Sequence, residues 1–454
     1  MQASSILASA GTLQLGQDSY TLASHFTVTN GAVALMGGGG LLEAVTLDVL
    51  GSISTLVVQG KDVSAQVSNQ WIGAGGMIAV GSAHIGAGAL LSADGQGYIG
   101  SYNAYGRGPG AAGPVGGGSH GGYGATGGGP AYGNCLAPET PGSSGGGAYV
   151  DGWFSGTGGN GGGAIHLIVT NRLTLDRSVS ANGSPGGWDK SGGGAGGSLW
   201  LEVGALTGAG QLSATGGNGS AYGGGGGGRI ALYSANTADL LTWTNATVLA
   251  GQSTSAGQNG TLIYVDTSLG EDRPQCLVPA YRCDFPVTPP WFESFTLGVS
   301  GLPVASVEVA SGLSVRGGQL TARAGSQIWL GGGAELRFTG SLSLLDSNTT
   351  LHAACRNLAA PVAGEWIGEG VFIQASNLVV ASGAGMTADG QGYYADWQSP
   401  GRGPGGSSRD CDGSYGGVGA CGAPAYGFLE TPSAPGSAHP RQPKLAFKSA
   451  SRSK

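Results

Sequence analysis

The chain has 454 residues, and 95 of them are glycine, about three times ordinary usage. Hydrophobic residues make up 40% and aromatics 7%, so a core can be buried and a disordered polar tract is excluded; the glycines cluster instead of recurring at every third position, which excludes collagen. The net charge is −7, and Lys61 and Lys190 are the only lysines before residue 440, so the clustered basic surface that tracks nucleic-acid phosphates is missing.

The opening, MQASSILASAGTLQLG, has neither the basic n-region nor the long apolar h-region of a secretory leader. No run of about 18 apolar residues reads as a membrane-spanning helix. Further along, Trp71 to Gly110 aligns without a gap with Trp366 to Gly405, at an offset of 295. The likeness continues in Pro130-Ala131-Tyr132-Gly133 against Pro424-Ala425-Tyr426-Gly427, and in Glu139-Thr140-Pro141 against Glu430-Thr431-Pro432. The chain therefore reads as one whole unit, 1–265, and a second, shortened one, 298–432.

Within the first unit, glycine clusters each run into an alternating segment: AIHLIV from Ala164, SLWLEV from Ser198, RIALYS from Arg229 and TLIYV from Thr261. Their first aliphatics, Ile165, Leu199, Ile230 and Leu262, are 34, 31 and 32 residues apart. Alternation puts Ile165, Leu167 and Val169, and their equivalents, on one face; His166, Trp200, Glu202, Arg229 and Tyr233 take the other, as in half-buried strands. Second strands lie between them in LTLDRSVSANG, GQLSATGGNG and ATVLAGQ, with Val179, Leu212 and Val248 in matching places. A repeat of about 32 residues with two or three short strands is one coil of a solenoid that buries its apolar face against its neighbours. The expected fold is all-β, a parallel β-helix-like solenoid with long glycine-rich loops; a β-sandwich or propeller is the rival. The glycines serve either close backbone approach and φ > 0 in ordered loops, or loops that stay mobile.

Residues 266–297 differ in composition, with prolines, charges, Cys276 and Cys283, and read as a linker or insert. The last stretch, 433–454, holds five basic residues in its final fourteen positions and reads as a disordered basic tail, as from a shortened gene model. The six cysteines show no zinc spacing. Cys276 with Cys283, and Cys411 with Cys421, can each close a small disulfide loop; free buried thiols are the alternative.

No catalytic, cofactor-binding or metal set emerges. P-loop and HExxH motifs are absent. Asp94 and Asp389 sit in Ala-Asp-Gly-Gln-Gly, which reads as an Asp–Gly turn, with calcium ligation as the lesser reading. Arg107/Arg402 and Glu139/Glu430 recur in turns or loops, and His120 becomes Tyr415 in the second copy. Trp71/Trp366, Tyr98/Tyr393 and Tyr132/Tyr426 recur too, as packing groups or as sugar-stacking platforms. Five sequons, at Asn182, Asn218, Asn245, Asn259 and Asn348, are candidates for N-glycosylation, though three of them are Asn-Gly turn signatures.

Gly162-Gly163-Ala164-Ile165 resembles a short motif of β-helical adhesins and polymorphic outer-membrane proteins, whose companion FxxN motif this sequence lacks. The glycine clusters are also similar to the extracellular glycine-rich segment of anaplastic-lymphoma-kinase-type receptors. Both resemblances imply adhesion or ligand display. The expected function is a non-enzymatic structural or adhesive protein of the cell surface or extracellular matrix, a fragment of a longer repeat protein, with glycans or matrix and surface proteins as partners. A carbohydrate-active β-helix enzyme and a glycine-rich ligand-binding ectodomain are the alternatives.

Overall fold

The computed structural model describes residues 1–147, 156–187, 190–236, 240, 243–393, 401–406, 413–415, 425–426 and 434–437. The first fifteen strands are β1 (Gln2–Ser9), β2 (Thr12–Leu15), β3 (Tyr20–Thr29), β4 (Val33–Met36), β5 (Leu41–Val49), β6 (Thr55–Val58), β7 (Gly76–Ile85), β8 (Leu90–Ser92), β9 (Ala164–Leu175), β10 (Ser178–Ser180), β11 (Ser198–Thr207), β12 (Gln211–Ser213), β13 (Arg229–Ser234), β14 (Ala246–Thr247) and β15 (Thr261–Asp266). The odd-numbered ones form one parallel ladder and the even-numbered ones another, so the chain alternates between two sheets. Each pass lays a long strand on the first sheet and a short one on the second.

The pattern of buried side chains explains this arrangement. Ile6, Phe26, Leu47, Ala83, Leu173 and Leu206 stand in register across the long strands. Leu13, Ala34, Leu56, Leu91, Val179 and Leu212 do the same across the short ones. These inward columns belong to one continuous core. A fully buried aliphatic contributes roughly 1.5–3 kcal/mol, and slipping a strand by one residue would turn its whole inward set to solvent.

The repeat aligns as its spacing implies: Ile165 pairs with Leu199, Leu199 with Ile230, and Ile230 with Leu262. The short strands follow this only in part. Val179 pairs with Leu212, but Leu212 pairs with Ala246, two residues before the expected Val248. The opposite face also departs from simple alternation, because Arg229 is fully buried and all six residues of β15 are buried. The cause is a second strand stack lying against these last passes. Parallel pairing throughout, except between β15 and the strand that follows it, is not the ladder of an antiparallel sandwich or propeller.

The glycine clusters are ordered and packed into a bundle. Gly192 and Ala195 donate to the carbonyls of Gly146 and Ser143, Gly193 and Gly196 to those of Gly223 and Gly226, and Gly194 and Gly197 to those of Ser184 and Ala181. Every third residue thus faces the same neighbour. That is the geometry of extended three-residue-per-turn chains, which have no internal hydrogen bonds and make them all sideways. Gly224 and Gly227 (to Ser255 and Gln258) and Gly225 and Gly228 (to Gly217 and Ala214) repeat it. A Cβ on Gly193 would lie 1.9 Å from the Gly217 oxygen, and one on Gly225 2.1 Å from the Gly194 oxygen. Close backbone approach, and not positive φ, is what requires glycine in these clusters.

The second stack contains β16 (Gln275–Val278), β17 (Tyr281–Phe285), β18 (Phe292–Leu297), β19 (Ala305–Val309), β20 (Ser314–Ala322), β21 (Gln327–Leu330), β22 (Glu335–Phe338), β23 (Ser341–Leu344), β24 (Thr350–Ala353), β25 (Phe372–Gln374), β26 (Asn377–Val380) and β27 (Gly385–Thr387). One ladder runs β17–β19–β21–β24–β27. The other runs β16–β18–β20 and then divides, β22 and β25 following the first half of β20 and β23 and β26 the second. Residues 266–297, read from composition as a linker or insert, contribute β16, β17 and β18 to this stack. β15 joins the stacks: it pairs antiparallel with β16 and, through Thr261 and Arg282, parallel with β17. Leu262 and Tyr264 enter the first core, while Ile263 and Val265 enter the second. The 295-residue repeat is structural as well, since β6 and β8 recur as β24 and β27 at that offset.

Candidate binding groove on the second strand stack

The ladder β17–β19–β21–β24–β27 turns one face inward, with Cys283, Phe285, Val307, Val309, Ile328, Leu330 and Leu351 buried. Alternation therefore aims the intervening residues outward, and parallel register lines them up as Asp284, Glu308, Trp329, His352 and Thr387. They floor a groove of about 490 Å3, to which Arg282, Asp389 and Gln391 also contribute.

Trp329 stacks on His352 with ring centroids 3.8 Å apart and planes 7° apart. The indole is 48% exposed. The His352 ring is held from the side by Gln327 Oε1 at 2.8 Å from Nε2, and burial lowers its pKa below the usual value, favouring the neutral ring. Arg282 Nη2 donates to Glu308 Oε2 at 2.5 Å, and the Arg282 guanidinium lies over the Tyr123 ring at 5.5 Å.

Asp284 is fixed from behind. Arg229 Nη1 donates to its Oδ1 at 2.6 Å and Nη2 to its Oδ2 at 3.2 Å. Burial pushes this carboxyl up, but the Arg229 charge and hydrogen bonds, with Arg282, outweigh it and hold the group below the usual carboxylate range. Arg229 also donates from Nε to the Tyr132 carbonyl and from Nη1 to Thr261 Oγ1. One buried guanidinium thereby ties β13, β15, β17 and the segment around Tyr132 together. The groove combines an apolar aromatic plate with a charged, hydrogen-bonding rim.

A larger depression of about 810 Å3 on the first stack is lined by Ser180, Asn182, Ser213, Asn245 and Thr247. Its polar groups largely satisfy one another. Asp94 accepts from the Asn182 amide (2.6 Å) and from Ser180 Oγ (2.9 Å), while Asn182 Oδ1 accepts from Ser213 Oγ, the Thr215 amide and Thr215 Oγ1.

The recurring aromatics are packing groups. Tyr98 is buried edge-on against Trp71 (5.3 Å, 76°), and its hydroxyl accepts from the Gly73 amide; Tyr393, Trp366 and Gly368 reproduce the arrangement (5.2 Å, 77°). Tyr132 donates to the Pro141 carbonyl and accepts from Ser143, as Tyr426 does with Pro435 and Ser437. Asp94 sits at a turn where Gly95 has φ +64°, Arg107 reaches toward the Ile99 carbonyl, and Glu139 is exposed near His166, so these recurring charges do not converge. Among the described residues no three metal-capable side chains gather. No helix among them is long and apolar enough to cross a membrane.

Cys276 and Cys283 are both free, and the sulfur in contact with Cys283 is that of Cys135, at 3.0 Å, not that of Cys276. Cys411, Cys421, Glu430 and the tail after 437 lie outside the described residues. Asn218, Asn245, Asn259 and Asn348 are exposed, and Asn182 is half-buried. No protein-family model, curated protein or solved structure matches the chain.

The sequence reading missed the groove. Its signal is an outward Trp in QIWL followed 23 residues later by an outward His in TLHA, visible only once the two strands are known to be neighbours.

Proposed function

We propose that this protein is a non-enzymatic adhesive or structural component of the cell surface or extracellular matrix, built as a β-helix-type solenoid, and that it binds glycan chains in the groove of its second stack. The half-exposed Trp329 indole, backed by His352 and rimmed by Arg282, Glu308, Asp389 and Gln391, carries the reading. An aromatic face takes up the apolar C–H side of a sugar ring, while the rim offers hydrogen bonds to hydroxyls. The exposed sequons at Asn218, Asn245, Asn259 and Asn348 suit a secreted glycoprotein.

The test is a glycan array followed by calorimetric titration of the retained ligands. Trp329→Ala should weaken binding at least about tenfold, or about 1.4 kcal/mol. Retention of no glycan, or equal affinity in the variant, refutes the proposal. Release of new reducing ends from a bound polysaccharide would move the reading to a carbohydrate-processing enzyme.

A further inference from the structure

Three buried thiols meet where the two stacks join: Cys135, Cys276 and Cys283. Cys135 belongs to the long segment between β8 and β9, Cys276 to β16 and Cys283 to β17. The Cys135 and Cys283 sulfurs are 3.0 Å apart, well inside the usual contact separation of two sulfur atoms and about 1 Å beyond a disulfide bond of roughly 2.05 Å. Both side chains are fully buried.

This juxtaposition does not depend on a flexible tip. The segment carrying Cys135 is held independently on both sides. Arg229 donates to the Tyr132 carbonyl at 2.8 Å, Tyr233 Oη donates to the Leu136 carbonyl at 2.9 Å, and the Leu136 amide is capped by Asn134 Oδ1 at 2.9 Å. β17 is fixed in turn by its parallel register with β19 and by the Arg229–Asp284 pair. The repeat adds a second observation. Where the first copy continues from Pro130-Ala131-Tyr132-Gly133 into Asn134-Cys135-Leu136, the second continues from Pro424-Ala425-Tyr426-Gly427 into Phe428-Leu429. The cysteine is thus confined to the copy that faces Cys283.

We propose that Cys135 and Cys283 form a disulfide that staples the first stack to the second, leaving Cys276 as a free thiol. Two thiols lose two protons and two electrons. The acceptor is a disulfide, either a small-molecule one or that of a folding oxidoreductase, and it leaves as two thiols. Exchange proceeds through a mixed disulfide on one cysteine, which the thiolate of the other displaces. In the closed structure burial pushes the Cys283 thiol well up, so its thiolate is scarce and no oxidant reaches it. Bond formation therefore belongs to the stage before the Cys135 segment is covered. The inference stands apart from the glycan reading.

The experiment is peptide mapping of the full chain refolded with a glutathione and glutathione-disulfide mixture. Remaining thiols are alkylated under denaturing conditions without reductant before digestion. The expected result is one cross-linked pair of peptides containing Cys135 and Cys283, with Cys276 alkylated, and with the pair kept in Cys276→Ser and lost when refolding uses glutathione alone. Full alkylation of both Cys135 and Cys283 overturns the proposal. So does a cross-link from either of them to Cys276 or to any other cysteine. Because mapping of the unaltered chain decides the question, a Cys283→Ser variant that failed to fold would not affect the outcome.

Discussion

Placing a methyl group on Gly225 tests whether the glycine clusters are a packed bundle. The Gly225 amide donates to the Gly217 carbonyl at 2.9 Å, and its own carbonyl accepts from the Gly251 amide at 2.8 Å. A Cβ there would lie 2.1 Å from the Gly194 oxygen, 2.6 Å from its carbonyl carbon and 3.1 Å from the Ala195 nitrogen. All three are backbone atoms, so no side-chain rotation relieves the clash. Separation must grow by more than 1 Å, and the Gly194 segment is itself held by a 3.0 Å bond to Ser184 and a 2.8 Å bond from Gly217. Overpacking of this kind costs about 1–3 kcal/mol. A buried amide or carbonyl left without its partner adds about 1–3 kcal/mol. The reduced entropy of the unfolded chain returns only about 0.4–1 kcal/mol. The net expectation for Gly225→Ala is a loss centred near 3 kcal/mol. Gly16→Ala is the control, because Gly16 does not have positive φ and its Cβ would meet nothing within 4 Å. That variant should gain about 0.4–1 kcal/mol. Guanidinium unfolding followed by tryptophan fluorescence reads both as shifts of midpoint at constant slope. If Gly225→Ala unfolds at or above the wild-type midpoint, moving in the same direction as Gly16→Ala, the bundle does not exist in solution.

His120 is fully buried, with Nδ1 2.9 Å from the Gly196 carbonyl and Nε2 3.1 Å from Thr140 Oγ1. A carbonyl only accepts, so Nδ1 carries the proton and Nε2 accepts from the threonine. Burial first, and the nearby Arg229 charge second, pull its pKa down to about 3. The folded value lies below the unfolded one, so this contribution to stability is complete above about pH 6.5 and declines as the pH falls toward 3, by up to about 1.4 kcal/mol per unit. His120→Gln should lose that part of the acid slope. Stability-versus-pH curves that stay parallel for the two proteins between pH 3 and about 6.5 would refute it. Removing the partner of Arg229 in Asp284→Ala leaves a buried charge unpaired and should cost about 3–5 kcal/mol, whereas Arg229→Met with Asp284→Leu should cost far less. A double-mutant cycle checks this, and additive single effects would contradict it.

What was readable in the sequence, and what was not, follows from the range of the interactions. Ile165, Leu199, Ile230 and Leu262 could be matched by counting, because inward aliphatics on neighbouring strands must stack and the spacing between them varies little. Val248 was mismatched because its strand is short: β14 has two residues, and so short a pairing constrains register weakly. Arg229 reads as outward-facing by alternation, and it is; its burial comes from Tyr132 and Asp284, 97 and 55 residues away. The Cys135–Cys283 contact spans 148 residues and has no local mark at all. Local patterning fixes which face a side chain takes, but what then covers that face is a long-range outcome.

The bundle and the sheets constrain each other, and this accounts for a feature that the strands alone leave unexplained. Val80 on β7 pairs directly with Val169 on β9, although 89 residues separate them against 31–36 for the neighbouring passes. The ladder passes over the inserted stretch because register depends on the stacked inward side chains and not on the length of the connection, whose closure entropy grows only slowly. The inserted chain is then supported by the bundle. Gly118 donates to Gly193, Gly122 to Gly227, and Gly146 to Gly116, while Ala195 and Gly226 donate back to Ser143 and Gly118. Segments of the insert fill lateral positions around glycine runs that belong to later passes. The sheets fix those runs at intervals set by strand pairing, and three-residue lateral bonding fixes the insert against them. A glycine-poor insert of the same length would satisfy the ladder equally well but leave the buried amides of Gly192, Ala195 and Gly226 without their acceptors in Gly146, Ser143 and Gly118, so the high glycine content belongs to the bundle rather than to the strands.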